Sequence, residues 1–149
     1  GVNDCLANVL NAKILGVLNS EEKIGKICEL VHEMKMDAFL ENVKIALGTN
    51  GIRYYDALRP VNKLAICGGA GGGELINAFS NSCDTLLTAD IKHSQFIDAK
   101  HLGINIIDAG HFNTENIVLP HLAEELAAQF PGLDVRVSFG NYQIEKYLV

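Results

Sequence analysis

His111 and Glu115 stand four positions apart in Asn105-Ile-Ile-Asp-Ala-Gly-His-Phe-Asn-Thr-Glu115. An imidazole and a carboxylate are donors that suit zinc, manganese or iron. Two donors do not close a metal site, which needs at least three protein groups, so others must come from elsewhere. The spacing also fits a plainer reading. A carboxylate in a first helical turn is favoured by the macrodipole alone, and a histidine beside glycine is at home in a solvated turn. Asp108 could fix the His111 tautomer through a hydrogen bond, or cap the turn after its strand. Asp90 and His93 fall at a similar strand end. Either could line a cleft as a substrate contact or proton shuttle, or Asp90 could cap the next helix with His93 solvated.

These residues need elements to hold them. Ile104 to Ile107 is a short apolar run of the buried-strand kind. Gly110 permits a sharp turn. Thr114 is a plausible N-cap with Glu115 in the first turn, and Ile117, Leu119, Leu122 and Leu126 continue at helical spacing. The expected helix runs from Glu115 to Phe130, stopped by Pro131-Gly132. In open α/β sheets, ligands gather outside the carboxyl ends of strands, which is where His111 falls.

The loop Gly68-Gly69-Ala70-Gly71-Gly72-Gly73 follows an expected strand, Val61 to Cys67, and precedes a helix starting near Glu74. Backbone N–H groups in such a loop can cradle an anion. It is neither a Walker A loop nor a clean G-x-G-x-x-G fingerprint, and Glu74 would compete with phosphate. A tight strand–helix turn explains it equally well. No G-x-S-x-G occurs, so a nucleophile elbow is not indicated.

Earlier in the chain, Val2 to Leu10 has helical spacing, with Asn3 as a possible cap. Lys13 to Leu18 reads as a strand, Gly25 to Leu30 as a strand or irregular segment. Asp37 to Leu47 reads as an amphipathic helix ended by Gly48, and Gly51 to Tyr55 as a strand. Later, Thr85 to Thr88 is expected as a strand, Ser94 to His101 as a helix and Val135 to Phe139 as a last strand. Strands alternating with helices point to one α/β domain over residues 1–149 with a mostly parallel sheet.

Composition narrows the partners. The net charge is −6 and Lys and Arg do not cluster, which disfavours nucleic acid. No apolar run reaches the ~18 residues of a membrane span. Cys5, Cys28, Cys67 and Cys83 are widely spaced without C-x-x-C, a reducing-compartment pattern that suits the cytoplasm. His32, His101 and His121 have no partner spacing and read as surface residues.

The run Asn105 to Glu115 resembles the carboxyl-terminal metal motif of the Nif-three-like family, also known as GTP cyclohydrolase I type two. Leu64-Ala-Ile-Cys-Gly-Gly-Ala-Gly-Gly-Gly73 and Leu87-Thr-Ala-Asp-Ile-Lys-His93 resemble two further family blocks in the same order. Gly1-Val-Asn-Asp4 is similar to the segment after the family's central His-Thr-x-x-Asp motif. The resemblance implies the family's fold and a dinuclear divalent-metal site with His111 and Glu115 as two ligands. It also places the glycine loop, with Gly69 and Gly71, beside the metal cleft. The activity it implies is hydrolysis of a small molecule or nucleotide; the alternative is a non-catalytic metal-binding or interaction protein. Relatives of this kind are ring-shaped homo-oligomers, commonly hexamers. The family's amino-terminal His-His pair and His-Thr-x-x-Asp motif have no counterpart here, so the chain reads as the carboxyl-terminal part of a longer protein, carrying an incomplete site. Where the family has a glycine this chain has Ala89, which would be strained if its φ were positive.

Overall fold

Leu64, Ala65 and Ile66, Leu86 and Leu87, and Ile106 and Ile107 are fully buried. Such apolar pairs and runs need cover on both sides. The computed structural model, which describes residues 1–148, supplies it. In chain order it contains α1 (Val2–Val9), β1 (Ala12–Asn19), β2 (Ile24–Met34), α2 (Met36–Leu47), β3 (Arg53–Tyr55) and β4 (Val61–Ile66). There follow a 3-10 turn (Gly72–Glu74), α3 (Leu75–Ser80), β5 (Thr85–Thr88), α4 (His93–Leu102), β6 (Asn105–Asp108), α5 (His111–Asn116) and α6 (Val118–Gln129). The strands form one six-stranded sheet in the order β1-β2-β4-β5-β6-β3.

Strand alternation sends successive side chains to opposite faces. Leu64, Ile66, Leu87 and Ile107 pack with Leu6 of α1 and with Phe39 and Val43 of α2. Ala65, Leu86 and Ile106 face the other way, against Leu75 and Ala78 of α3 and Ala99 of α4. The three central strands therefore sit between two helical layers, and their carboxyl ends carry the three turns that build the site.

The sheet is mixed, not mostly parallel. Among the described residues, β4–β5 and β5–β6 are parallel, and β1–β2, β2–β4 and β3–β6 are antiparallel. A parallel pair needs a crossover of about a dozen residues or more, and the link from Asn19 to Ile24 is far too short for one. β1 and β2 therefore form a hairpin, with β2 running on to Met34 through a register shift after Glu29.

Two further expectations are corrected. Glu115 to Phe130 is not one helix but two, interrupted at Ile117. Pro120 has no N–H for the Asn116 carbonyl and sits in the first turn of α6, where none is needed. Val135 to Phe139 is not a strand: residues 133–138 have no regular structure. Val135 and Val137 instead line a shallow groove with Leu122 and Leu126 of α6. Among the described residues, no helix is long and apolar enough to cross a membrane. All four cysteines are buried and free.

Candidate metal centre

α5 begins earlier than its sequence suggests, at His111, with Gly110 as its N-cap at φ 89°. Thr114 is thus inside the helix. Its Oγ1 bonds back to the Gly110 and His111 carbonyls (2.9 and 3.0 Å) and accepts the Gly69 N–H (3.0 Å). The early start places His111 and Glu115 one helical turn apart on one face. His111 Nε2 lies 3.3 Å from Glu115 Oε2.

The other ring nitrogen is also engaged. His111 Nδ1 is 2.7 Å from Asp90 Oδ2, so Asp90 takes the place that sequence reasoning offered to Asp108. The Asp108 carboxylate is turned away from the ring. It is buried and accepts from Arg53, from the Ile91 N–H (3.1 Å) and from the Gly110 N–H (3.3 Å). His111 is held above the usual imidazole range, first by its hydrogen bond to Asp90 and further by Glu115, with burial opposing. Two carboxylates on one imidazole leave the cluster short of positive charge even when the ring is protonated.

Asp90 holds a left-handed backbone, φ 53°, whereas Ala89 does not. The expected strain thus falls one residue later, on a residue type that tolerates αL better than alanine. His93 opens α4 on the surface, away from any such cluster.

Gly69 forms the floor under the pair. At φ 69°, a Cβ there would overlap Glu115 Oε1 and lie 3.3 Å from His111 Nε2. Gly71 is buried one step away, where a Cβ would come within 2.7 Å of Cys67 Sγ. Three of the loop's amides are already engaged within the protein. Gly68 N–H donates to Asn3 Oδ1 (2.8 Å), Gly69 N–H to Thr114 and Gly71 N–H to Thr88 Oγ1 (2.8 Å). Those three are not open to a phosphate, and the loop acts as a tight strand–helix turn. Asn3, read as a helix cap, instead ties α1 to this loop.

The pair opens onto a cleft of about 620 Å³ lined by His111, Glu115, Phe112, Leu119, Tyr142 and Glu145 among others, a size that suits a small molecule. Tyr142 and Glu145 belong to the tail, where the sequence has no period to read. Among the described residues, no group of three or more His, Cys, Asp and Glu side chains is arranged to hold a metal ion. Arg53 also escaped the sequence reading. Its partnership with Asp108 depends on β3 pairing with β6, which no local pattern announces.

Comparison with known proteins agrees with this architecture. The chain is 34% identical over 145 residues to a Clostridium perfringens protein named GTP cyclohydrolase 1 type 2 homolog, covering 93% of this chain and 54% of the relative. It thus spans about half the length of that protein. A crystal structure of a Staphylococcus aureus hypothetical protein has the same fold, with a TM-score of 0.84 at 22% identity, covering 99% of this chain and 64% of that one. A Bacillus cereus protein related to NIF3 superposes with a TM-score of 0.70 at 29% identity, covering 84% and 35%. The model of the family Duf34/NIF3 (NGG1p interacting factor 3) matches residues 1–146, and the chain belongs to that family.

Proposed function

We propose that His111 and Glu115 are two protein ligands of a divalent metal, zinc, manganese or iron, in a hydrolase of the GTP cyclohydrolase 1 type 2 kind. One observation carries this reading: His111 Nε2 and Glu115 Oε2 converge to 3.3 Å at the mouth of a cleft while Asp90 occupies Nδ1. A ring nitrogen held by a carboxylate is the usual arrangement behind a metal-bound histidine, because it fixes the tautomer and raises ligand basicity. The donor set fits the metal in kind but not in number, so the remaining donors are protein groups beyond these residues, another subunit, solvent or substrate.

The bound metal would supply a nucleophilic hydroxide near neutral pH and a Lewis acid for a phosphate or ring substrate. The chain's own groups do the rest. Asp90 keeps the proton on Nδ1, which would leave the Nε2 lone pair for the metal that Glu115 also faces. Gly69 keeps side-chain bulk off the pair. Phe112, Leu119 and Tyr142 give the cleft a largely apolar wall on which a planar ring can lie.

Calorimetry with zinc and manganese tests the metal, and GTP turnover with and without metal tests the chemistry. Binding that survives both His111→Ala and Glu115→Ala would sink the metal assignment. A second reading, a non-catalytic metal-binding protein that assembles into a ring-shaped homo-oligomer, draws support from the hairpin. Its outer strand β1 leaves Leu15 and Val17 exposed, and Val31 of β2 is 75% exposed. Metal binding without turnover of GTP or other nucleotides would favour it.

A further inference from the structure

Arg53 lies on the edge strand β3, directly opposite Asp108 of β6. Its Nη2 donates both to Asp108 Oδ2 and to the Ile91 carbonyl, the latter at 3.0 Å. The guanidinium carbon is 5.6 Å from the centroid of the Phe96 ring, within cation–π range. Asp108 is buried and accepts the Ile91 N–H on the same Oδ2. The backbone N–H and C=O of Ile91 are therefore both held by the Arg53–Asp108 pair. Ile91 follows Asp90, the residue with φ 53°. On the other side of Asp90, the Ala89 N–H donates to the Gly69 carbonyl (2.9 Å). A left-handed non-glycine residue persists only where its surroundings over-determine it. Here the surroundings are a clamp on each flanking residue.

We propose that Arg53 is a positioning residue for the metal pair. Through Asp108 and the Ile91 peptide it holds Asp90 in the conformation that aims its carboxylate at His111 Nδ1. This rests on the reading of His111 and Glu115 as metal ligands. Asp108 serves the same end from the His111 side, since its Oδ1 takes the Gly110 N–H at the start of α5. One buried carboxylate thus ties the turn that carries Asp90 to the turn that carries His111, and Arg53 neutralises it. An ion pair that merely closed the sheet edge would have no reason to engage both polar groups of Ile91.

The test is a double-mutant cycle read in two ways: zinc affinity by calorimetry, and the ¹⁵N shifts of the His111 ring in metal-free protein. Arg53→Met keeps an unbranched apolar stem and removes the guanidinium; Arg53 is 60% exposed, so little packing is lost, and Asp108 keeps the Ile91 and Gly110 N–H donors. Asp90→Gly removes the carboxylate at a backbone angle glycine accepts freely. Arg53→Met is expected to weaken zinc binding about tenfold, the lower end for losing support behind a metal ligand. It is also expected to move the neutral His111 ring from the Nδ1–H tautomer toward a mixture. In the Asp90→Gly background it should add less than about twofold, because coupled residues are not additive. Arg53→Lys, which keeps charge without the planar fork, should fall between native and Arg53→Met in both readouts and stands in for it if Arg53→Met does not fold. Equal losses in both backgrounds, or a lower melting temperature with unmoved His111 nitrogens, would overturn the proposal. A native protein that takes up no zinc would instead sink the metal reading, and the His111 nitrogens would still decide the role of Arg53.

Discussion

Asp90 is the residue at the site with the most demanding backbone. A left-handed conformation costs an ordinary L-residue roughly 1–2 kcal/mol and an aspartate less, and at Asp90 it aims a carboxylate at His111. His111 and Glu115 contribute little to stability in return. Their side chains are 42% and 49% exposed, and ion pairs at such exposure are worth about 1 kcal/mol or less. His111→Ala and Glu115→Ala are therefore expected to abolish measurable zinc binding in calorimetry, while thermal unfolding of the metal-free protein shifts only slightly. Large destabilisation by both would show that they serve the fold. Gly69→Ala should behave differently. Its Cβ would strike the Glu115 carboxylate, whose flexible, half-exposed end can swing aside, but only by leaving His111. We expect a stability loss of about 1–2 kcal/mol from the left-handed backbone and a larger loss in zinc affinity, read by denaturant titration and calorimetry on the same variant. His111 and Glu115 were legible as a pair because they stand four positions apart, although the expected helix began only at Glu115 and the shared helical turn comes from the earlier start of α5. The Asp90 contact and the Arg53 clamp were not, because both cross between strands whose register the sequence leaves unstated.

At the scale of elements, the sequence pattern located the central strands and the helices around them because each is apolar at the period of its type. It failed where direction and termination were decided by something else. One of the three antiparallel pairs follows from a short link, Asn19 to Ile24, which admits only a hairpin, while β2–β4 and β3–β6 join strands far apart in the chain. The break between α5 and α6 follows from Pro120, whose effect lies upstream of the residue itself. The tail's alternating valines look like a strand yet settle along α6. The layer of α2 offers a direct check on the packing. Phe39 and Val43 are buried against Leu64 and Ile66, and Phe39→Ala is expected to cost about 3–5 kcal/mol in denaturant unfolding. A cost under about 1 kcal/mol, as for a surface change, would mean that α2 does not cover the sheet as described.

Across the whole molecule, alkaline pH acts through buried thiols. Burial pushes the Cys28 thiol up to about 12 and the Cys83 thiol up to about 11 from an ordinary 9.0. The folded chain therefore binds these protons more tightly than the unfolded chain. The stability they give is complete below pH 9 and is lost as pH rises toward 11 and 12. Each thiol adds a slope of up to about 1.4 kcal/mol per pH unit in that window, measurable as a falling urea midpoint. At pH 8, thiol reagents should label Cys28 and Cys83 only after unfolding. The strand order has a consequence of another kind. Among the described residues β3 has one sheet neighbour, β6, and Arg53 meets Asp108 across 55 residues of sequence. Separating β6 would therefore free the outer edge, part the Asp108 carboxylate from Arg53 and loosen the turn that carries His111. The sheet edge and the Asp90–His111 contact are expected to open together, so the amides of residues 53–55 and 105–108 should exchange their hydrogens as a single unit.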